Sequence, residues 1–496
     1  MCSNSLLPLS LCDHHSFGAS DHNPHYGLYT GMKKRLVSEY DTVNMQLATL
    51  HRKPPEPSAI MGRKALQAMW RDKSPLAALR VFHAELGDCF RVNAPGFTPV
   101  MLVGPEAARF VLVTSRADLR WRKETDPITR LLQHGLLVED GDMHDQLRQT
   151  LTPALHKRVL SNYVDAMIRG VDEVTAGWTG EAPRDLLPEM RKIALLIIFE
   201  ALFKHDFAPD LATLWPAVLR LLSYISPGLW MLWHSMPRPG YTNRIRQMDD
   251  YLGHLITSYR AQHKDDVSDM LGMLIASGLS DSVIRDQLLT MLIAGHDTTT
   301  ASLAWTLYLL GAHPDALARA RAEVDAVVGR DVPRLEHAGQ LKYLDQVIKE
   351  SLRLYPPAHL SARTALADLD FDGYRIPAGT RVLLSIYLTQ RDPRQWPDPD
   401  RFDPERFSPE NSAARAAYTY LPFGGGPRNC IGFAFAELEL RLVLARLLQR
   451  YDFALALQPA GVRVHMGATL EPRPGIRCLT SPRRVSETSD APPALS

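Results

Sequence analysis

Residues 421–432 read LPFGGGPRNCIG, and the side chain there with the most chemistry to offer is Cys430. A thiol can serve as a nucleophile, a metal ligand or an inert core group, and its surroundings decide which. A phosphate-cradling GxGxxG run beginning at Gly424 would need glycine where Asn429 stands, and the Lys-Ser/Thr pair of a Walker loop is absent. A structural zinc site wants local partners, yet no second cysteine lies within 47 residues on either side. A nucleophile would need a base that the sequence does not designate. The setting adds a further use. Gly424, Gly425 and Gly426 allow tight turns and close approach to a flat ligand. A helix start at about residue 431 would stabilise a thiolate, and Arg428 adds a fixed cation. Such a thiolate suits the axial position of a haem iron, with Arg428 placed to meet a haem propionate.

Two other clusters carry polar chemistry in apolar company. Ala294-Gly295-His296-Asp297-Thr298-Thr299 interrupts a long apolar run. A His-Asp metal hydrolase would need further ligands at matching places, and none stands out; the plainer alternative is helix hydroxyls bonded to carbonyls one turn back. Glu350-x-x-Arg353 is a pair at helical spacing, usually a solvated bridge worth about 0.2–0.5 kcal/mol. The same spacing occurs at Glu106/Arg109 and Glu181/Arg184, but only the copy at 350 sits on an apolar helix, precedes Tyr355-Pro356-Pro357 and is followed by Asp403-Pro404-Glu405-Arg406-Phe407. Cys12, His14, His15, His22 and His25 show no ordered ligand spacing.

The elements that must hold these residues are mostly helices. From Ser282 to Pro314 the sequence reads as one helix of about 30 residues, roughly 45 Å long, apolar on most sides and therefore expected to cross the middle of a core. A second helix is expected over 341–354, ended by the prolines after Tyr355, and a last one over 431–449. CFRVNAPGFTPVMLVG reads as a strand pair around a Pro-Gly turn, and FDGYRIPAGTRVLLS as short strands. No repeat or linker divides the chain, so the expectation is a mainly α protein with small β-sheets: a flexible head over 1–55, one domain over 56–483 and a disordered tail over 484–496. With 56 Lys and Arg against 55 Asp and Glu, nothing in the net charge points to nucleic acid or an anionic membrane. The five cysteines, odd in number and widely spaced, suit a reducing compartment. With no basic start and no apolar run long enough to span a bilayer, the expectation is a cytoplasmic protein without a transmembrane anchor.

Phe423-x-x-Gly426-x-Arg428-x-Cys430-x-Gly432 resembles the cysteine loop of the cytochrome P-450 family at all five fixed positions, and the other motifs stand in the family's order. The resemblance covers about 60–480. It implies a single haem domain with the long helix over the cofactor, haem b, whose iron takes Cys430 as axial ligand. Glu350, Arg353 and Arg406 correspond to a buried triad that braces the cysteine loop. In the long helix, Gly295 is implied to make room beside the iron, with Asp297 and Thr298 an acid–alcohol pair that relays protons. A fourth match is imperfect: the family often has Trp-x-x-x-Arg, and here His144 replaces the tryptophan before Arg148. Arg148 and Arg363 are implied to meet propionates, with His144 beside them.

The implied activity is monooxygenation, one oxygen atom entering a C–H or C=C bond. No dinucleotide or flavin fingerprint is present, so electrons are expected from a separate ferredoxin and its NAD(P)H-linked reductase. Two alternatives are a peroxide-driven haem-thiolate enzyme, in which the acid–alcohol pair is typically replaced, and a non-catalytic haem-binding or sensor protein. By alignment with the family, the substrate pocket includes Met291, Ala294, Ala358, Leu360 and Thr469 with parts of 120–140. Trp215, Trp230 and Trp233 either roof an apolar access mouth or simply pack helices. A lipophilic substrate is expected, such as a terpenoid, fatty acid or polyketide.

Overall fold

The computed structural model describes residues 52–94, 96–228, 240–262, 267–456 and 461–483. Nearly all of the expected head, the whole tail, Trp230 and Trp233 lie outside them. Helices of ten or more residues are α1 (Ala59–Asp72), α2 (Pro75–Leu86), α3 (Gly141–Leu151), α4 (Val164–Thr175), α5 (Leu186–Phe203), α6 (Leu211–Ile225), α7 (Thr242–Gln262), α8 (Asp281–Ala312), α9 (Pro314–Val327), α10 (Lys342–Leu354) and α11 (Phe433–Arg450). The protein is mainly α with small sheets, as the sequence led us to expect.

Helix α8 runs 32 residues. The Ser280 hydroxyl caps its start by accepting from the Val283 N–H, and it ends at His313, where the following Pro314 disfavours helical backbone. Between Asp286 and Leu310 every side chain is buried except Ala294, Gly295 and Thr298. A helix apolar on all sides needs neighbours on all sides, and α5 supplies the most intimate. Its sequence, LLPEMRKIALLIIFEALF, is also buried nearly all round, and it carries one deeply buried cation, Arg191.

The larger sheet has the order β1-β2-β8-β5-β3, with β1 Cys89–Arg91, β2 Val100–Leu102, β3 Leu119–Arg120, β5 Leu360–Ala365 and β8 Arg381–Ser385. β1 and β2 are antiparallel, as expected from the strand pair, whereas β2 and β8 run parallel. A three-stranded sheet joins β4 (Ala182–Asp185), β12 (Arg477–Pro482) and β9 (Tyr451–Leu455). Two hairpins, β6 (Leu369–Phe371) with β7 (Tyr374–Ile376) and β10 (Arg463–Met466) with β11 (Leu470–Arg473), complete the β structure.

β5 matters most for the site. Its side chains alternate, Ser361, Arg363 and Ala365 buried and Leu360, Ala362 and Thr364 half-buried, so one short strand serves two faces.

Candidate active site

The cysteine loop is closed by its own backbone: the Cys430 N–H donates to the Phe423 carbonyl at 2.9 Å. Phe423 meets Phe433 edge-on, ring centres 5.0 Å apart. Gly426 has φ of +66°, and a Cβ there would lie 2.3 Å from the Leu112 carbonyl oxygen, so only glycine fits. Helix α11 begins at Phe433 with Gly432 as its N-cap, two residues later than expected. Ile431 and Gly432 are spent turning the chain out of the loop. Cys430 therefore stands just ahead of the helix. Burial pushes its thiol up, while the Gly432 N–H and the Arg148 charge pull it down. The thiol is hemmed in by protein yet presents open surface, which means that it faces an internal space.

The loop is braced from α10. Glu350 and Arg353 are both fully buried and paired bidentately, Nε to Oε2 at 2.6 Å and Nη2 to Oε1 at 2.8 Å. Arg353 also donates to the carbonyls of Gln390, Pro399 and Arg401, while the Asp403 N–H donates to Glu350. Arg406 stands farther off, Nε 3.5 Å from Glu350 Oε1, close enough for attraction but making no hydrogen bond with it. Burial raises the Glu350 carboxyl and its cationic partners oppose this. Gln390 carries the bracing to the loop: its amide donates to the Leu352 and Arg353 carbonyls, and its oxygen accepts from the Leu421 N–H at 2.7 Å. Nothing in the sequence singled out Gln390, because its role depends on three segments meeting. Glu106 and Arg109, at the same spacing, are both exposed.

Ala294, Gly295 and Thr298 fall on one side of α8, at i, i+1 and i+4, and are the positions in its buried stretch that keep open surface. Thr298 Oγ1 donates to the Ala294 carbonyl at 2.8 Å, the one-turn-back arrangement. The Cβ that Gly295 lacks would lie 2.3 Å from Ile198 Cδ1, so the glycine lets α5 pack close while it keeps open surface beside Ala294 and Thr298. Asp297 and Thr298 make no direct hydrogen bond to each other. Asp297 is buried and turned to Arg191, whose Nη1 donates to it at 2.6 Å, and to the Thr469 hydroxyl at 2.9 Å. Adjacent helical residues point about 100° apart, which sends the acid and the alcohol to different neighbours.

Arg191 also pairs with Glu471 on β11, and its Nη1 lies 3.3 Å from His296 Nε2. His296 Nδ1 faces the Leu292 carbonyl at 2.6 Å, which fixes Nδ1 as the protonated nitrogen. Burial, helped by Arg191, lowers His296 to about 4. A lone arginine in the apolar α5 was a readable signal that a buried acid would face it. Thr469, expected in the substrate pocket, is buried and donates to Asp297.

Behind β5, Arg363, Arg428 and His144 line one cavity of about 350 Å³ with Asp140. Arg363 is 4% exposed, donates only to Ser361 and the Ala362 carbonyl, and stacks over Trp121 at 4.1 Å. Burial, and then Arg428, lower it to about 9. Among the described residues no carboxylate pairs with it. Arg428 is tied to the Glu139 carbonyl and to Asp140, 3.0 Å away. His144 faces Asp145 at 2.9 Å. Arg148, expected at a propionate, donates both ways to Asn429. A flat macrocycle bearing carboxylates fits this set: a soft sulfur donor facing an internal space, a glycine-lined loop, and a buried guanidinium that has no anion.

Of the expected pocket residues, Met291 is buried one turn before Ala294, and Ala358 is exposed ahead of β5. Leu360 lines a second cavity of about 630 Å³, on the face of β5 opposite to Arg363. Trp121 and the buried acid Glu439, which accepts from the Thr299 hydroxyl at 3.1 Å, went unnoticed in the sequence.

A family model described as Cytochrome P450 matches residues 53–476. Cyclooctatin synthase of Streptomyces melanosporofaciens is 32% identical over 440 residues, covering 86% of this chain and 92% of its own length. Putative cytochrome P450 139 of Mycobacterium tuberculosis is 32% identical over 428 residues, covering 83% and 96%. Among solved structures, retinoic acid-bound cyanobacterial CYP120A1 superposes with a TM-score of 0.77 at 26% identity, over 87% of this chain and all of that one. Among the described residues no helix is long and apolar enough to cross a membrane.

Proposed function

The chain belongs to the cytochrome P450 family of haem b-dependent monooxygenases, and from that premise we propose that its domain over 56–483 oxidises a lipophilic small molecule, with Cys430 as the iron ligand. The observation that carries this reading is the Cys430 thiol, ringed by protein yet open to an internal space. When bound, the haem activates dioxygen, so that one atom enters the substrate and the other leaves as water.

The chain's own residues then divide the work. The closed backbone of the cysteine loop and its bracing through Gln390, Glu350 and Arg353 hold Cys430 Sγ in place, with Arg406 as a more distant counter-charge. Gly426 and Gly432 let the chain turn on either side of the thiol. Arg363, with Arg428 and His144 across the same cavity, supplies positive charge and donors to the cofactor's carboxylates. The apolar walls of α5 and α8 exclude water. Thr298 Oγ1, on the open side of α8, donates to the Ala294 carbonyl, which turns its lone pairs toward the chamber, where they can accept a hydrogen bond from a water and hold that water's protons in place. Asp297, tied to Arg191, sets the position of α8 against α5 and the β10–β11 hairpin.

Among lipophiles a terpenoid is favoured, since relatives named for cyclooctatin synthesis and for bound retinoic acid share this fold; that would place the enzyme in secondary metabolism in the cytoplasm. Electrons come from a ferredoxin and its NAD(P)H-linked reductase. The test is turnover of a lipophile panel by the haem-loaded protein, with a ferredoxin system or with hydrogen peroxide alone. Product with the donor system is expected; product with peroxide and none with any donor would replace this reading by the peroxide-driven one.

A further inference from the structure

The cavity of about 630 Å³ beside β5 is not neutral. Its walls include apolar Ile225, Leu360 and Leu383 together with three cations, Arg91, Lys123 and Arg381. Asp126 is the one carboxylate among its described lining residues, and Arg381 already pairs with it. Arg91 leans weakly on Glu56, Nε to Oε1 3.9 Å, and that Nε is buried without a hydrogen bond. Lys123 pairs with no carboxylate among the described residues. His359, also in the wall, is buried, and burial lowers it to about 4, so it adds no charge at neutral pH. Concave, partly desolvated walls make such uncompensated charge count for more than it would on an open surface.

Building on the monooxygenase reading, we propose that this cavity receives the substrate as an amphipathic monocarboxylate. Its carboxylate is held by Lys123 and Arg91 while its hydrocarbon lies along Ile225, Leu360 and Leu383. One negative charge suffices, because Glu56 already shares Arg91 and Asp126 satisfies Arg381. A volume of this size falls in the range of small-molecule pockets, apolar with a few polar groups that fix orientation. The cavity shares β5 with the cofactor side: Leu360 and Ala362 face it while Arg363 faces the other way. Anchoring the acid end leaves carbons remote from the carboxylate free to be oxidised.

The experiment uses the full-length haem-loaded protein, titrated with hexadecanoic acid and with its methyl ester, reading the haem absorbance change on binding. The acid is expected to bind roughly tenfold more tightly than the ester, the scale of one charge-assisted contact. Lys123→Gln and Arg91→Gln should each erase most of that preference while leaving ester binding and the thiolate signature of the carbon monoxide complex unchanged. Equal binding of acid and ester, or variants that keep the preference, would overturn the carboxylate site alone. If neither compound moves the haem absorbance of protein with an intact thiolate signature while a terpenoid of the panel does, the carboxylate site is overturned and the lipophilic-substrate reading stands; if no lipophile moves it, both fall.

Discussion

Arg148 grips Asn429 with both ends of its guanidinium: Nη1 donates to the main-chain oxygen at 2.9 Å and Nη2 to the side-chain oxygen at 2.7 Å. Helix α3 thereby holds the residue just before Cys430, and a planar fork is well suited to two acceptors on one partner. Asn429→Ala and Arg148→Gln should each lower the fraction of reduced, carbon monoxide-bound protein that shows the thiolate signature. Arg148→Gln removes both hydrogen bonds and Asn429→Ala only the side-chain one, so the double variant should be no worse than Arg148→Gln alone. Additive losses would mean that Arg148 acts elsewhere, as on a cofactor carboxylate.

Cys430→Ser should abolish the strongly red-shifted Soret band of the carbon monoxide complex. Cys89 and Cys478 are buried, and burial pushes both thiols up to about 12, so they stay neutral and remote from this signal. Cys89→Ser and Cys478→Ser should keep the band. An unchanged spectrum in Cys430→Ser would remove the ligand assignment.

Glu350→Ala or Arg353→Ala leaves a fully buried charge without its partner, at a cost of about 3–5 kcal/mol. Each variant should yield little haem-loaded protein. Glu106→Ala, on the surface, should be within about 0.5 kcal/mol of the parent by denaturant unfolding. Comparable losses at both sites would reduce the buried pair to an ordinary bridge.

Asp297 and Thr298 should behave differently although they are neighbours. Asp297→Asn weakens the hold on Arg191 and should lower the thermal midpoint, partly spared because Glu471 still pairs with that arginine. Thr298→Ala should leave folding and haem content intact but lower product formed per nicotinamide oxidised, with more hydrogen peroxide released. Equal coupling in wild type and Thr298→Ala would take that hydroxyl out of the mechanism.

Glu439 is pushed up to about 8 by burial, against the Thr299 hydroxyl that donates to it. An unfolded glutamate titrates near about 4.3, so between those values the folded protein keeps a proton that the unfolded chain has lost. The stability this confers is whole in acid and drains away as pH rises through about 8. Unfolding free energies should therefore decline less steeply from about pH 5 to about pH 8.5 in Glu439→Gln than in the parent. Parallel profiles would show that the carboxyl is already ionised. His296 and His359, lowered by burial to about 4, act on the other flank, and their stability is lost as pH falls from about 6.5 toward 4.

Features that are local or that repeat a motif were legible along the chain: the span of α8, the stop after Tyr355, the strand pair at β1 and β2, and the identity of Cys430, Glu350 and Arg353 as the residues to watch. Periodicity, proline and glycine act over a few residues, so they can be read along the chain. Which neighbour each polar side chain meets depends on the packing of distant segments. Asp297 turns to Arg191, 106 residues away in the chain, because α5 packs against α8 through Gly295. Arg148 meets Asn429 because α3 abuts the cysteine loop. Leu360 and Arg363 serve opposite sides because β5 places them on different faces. Gln390 joins the buried pair to the loop because three distant segments converge on it. A buried polar group must find a partner, which the sequence announces; which partner is within reach depends on how the helices pack, and that is settled only when the whole core closes.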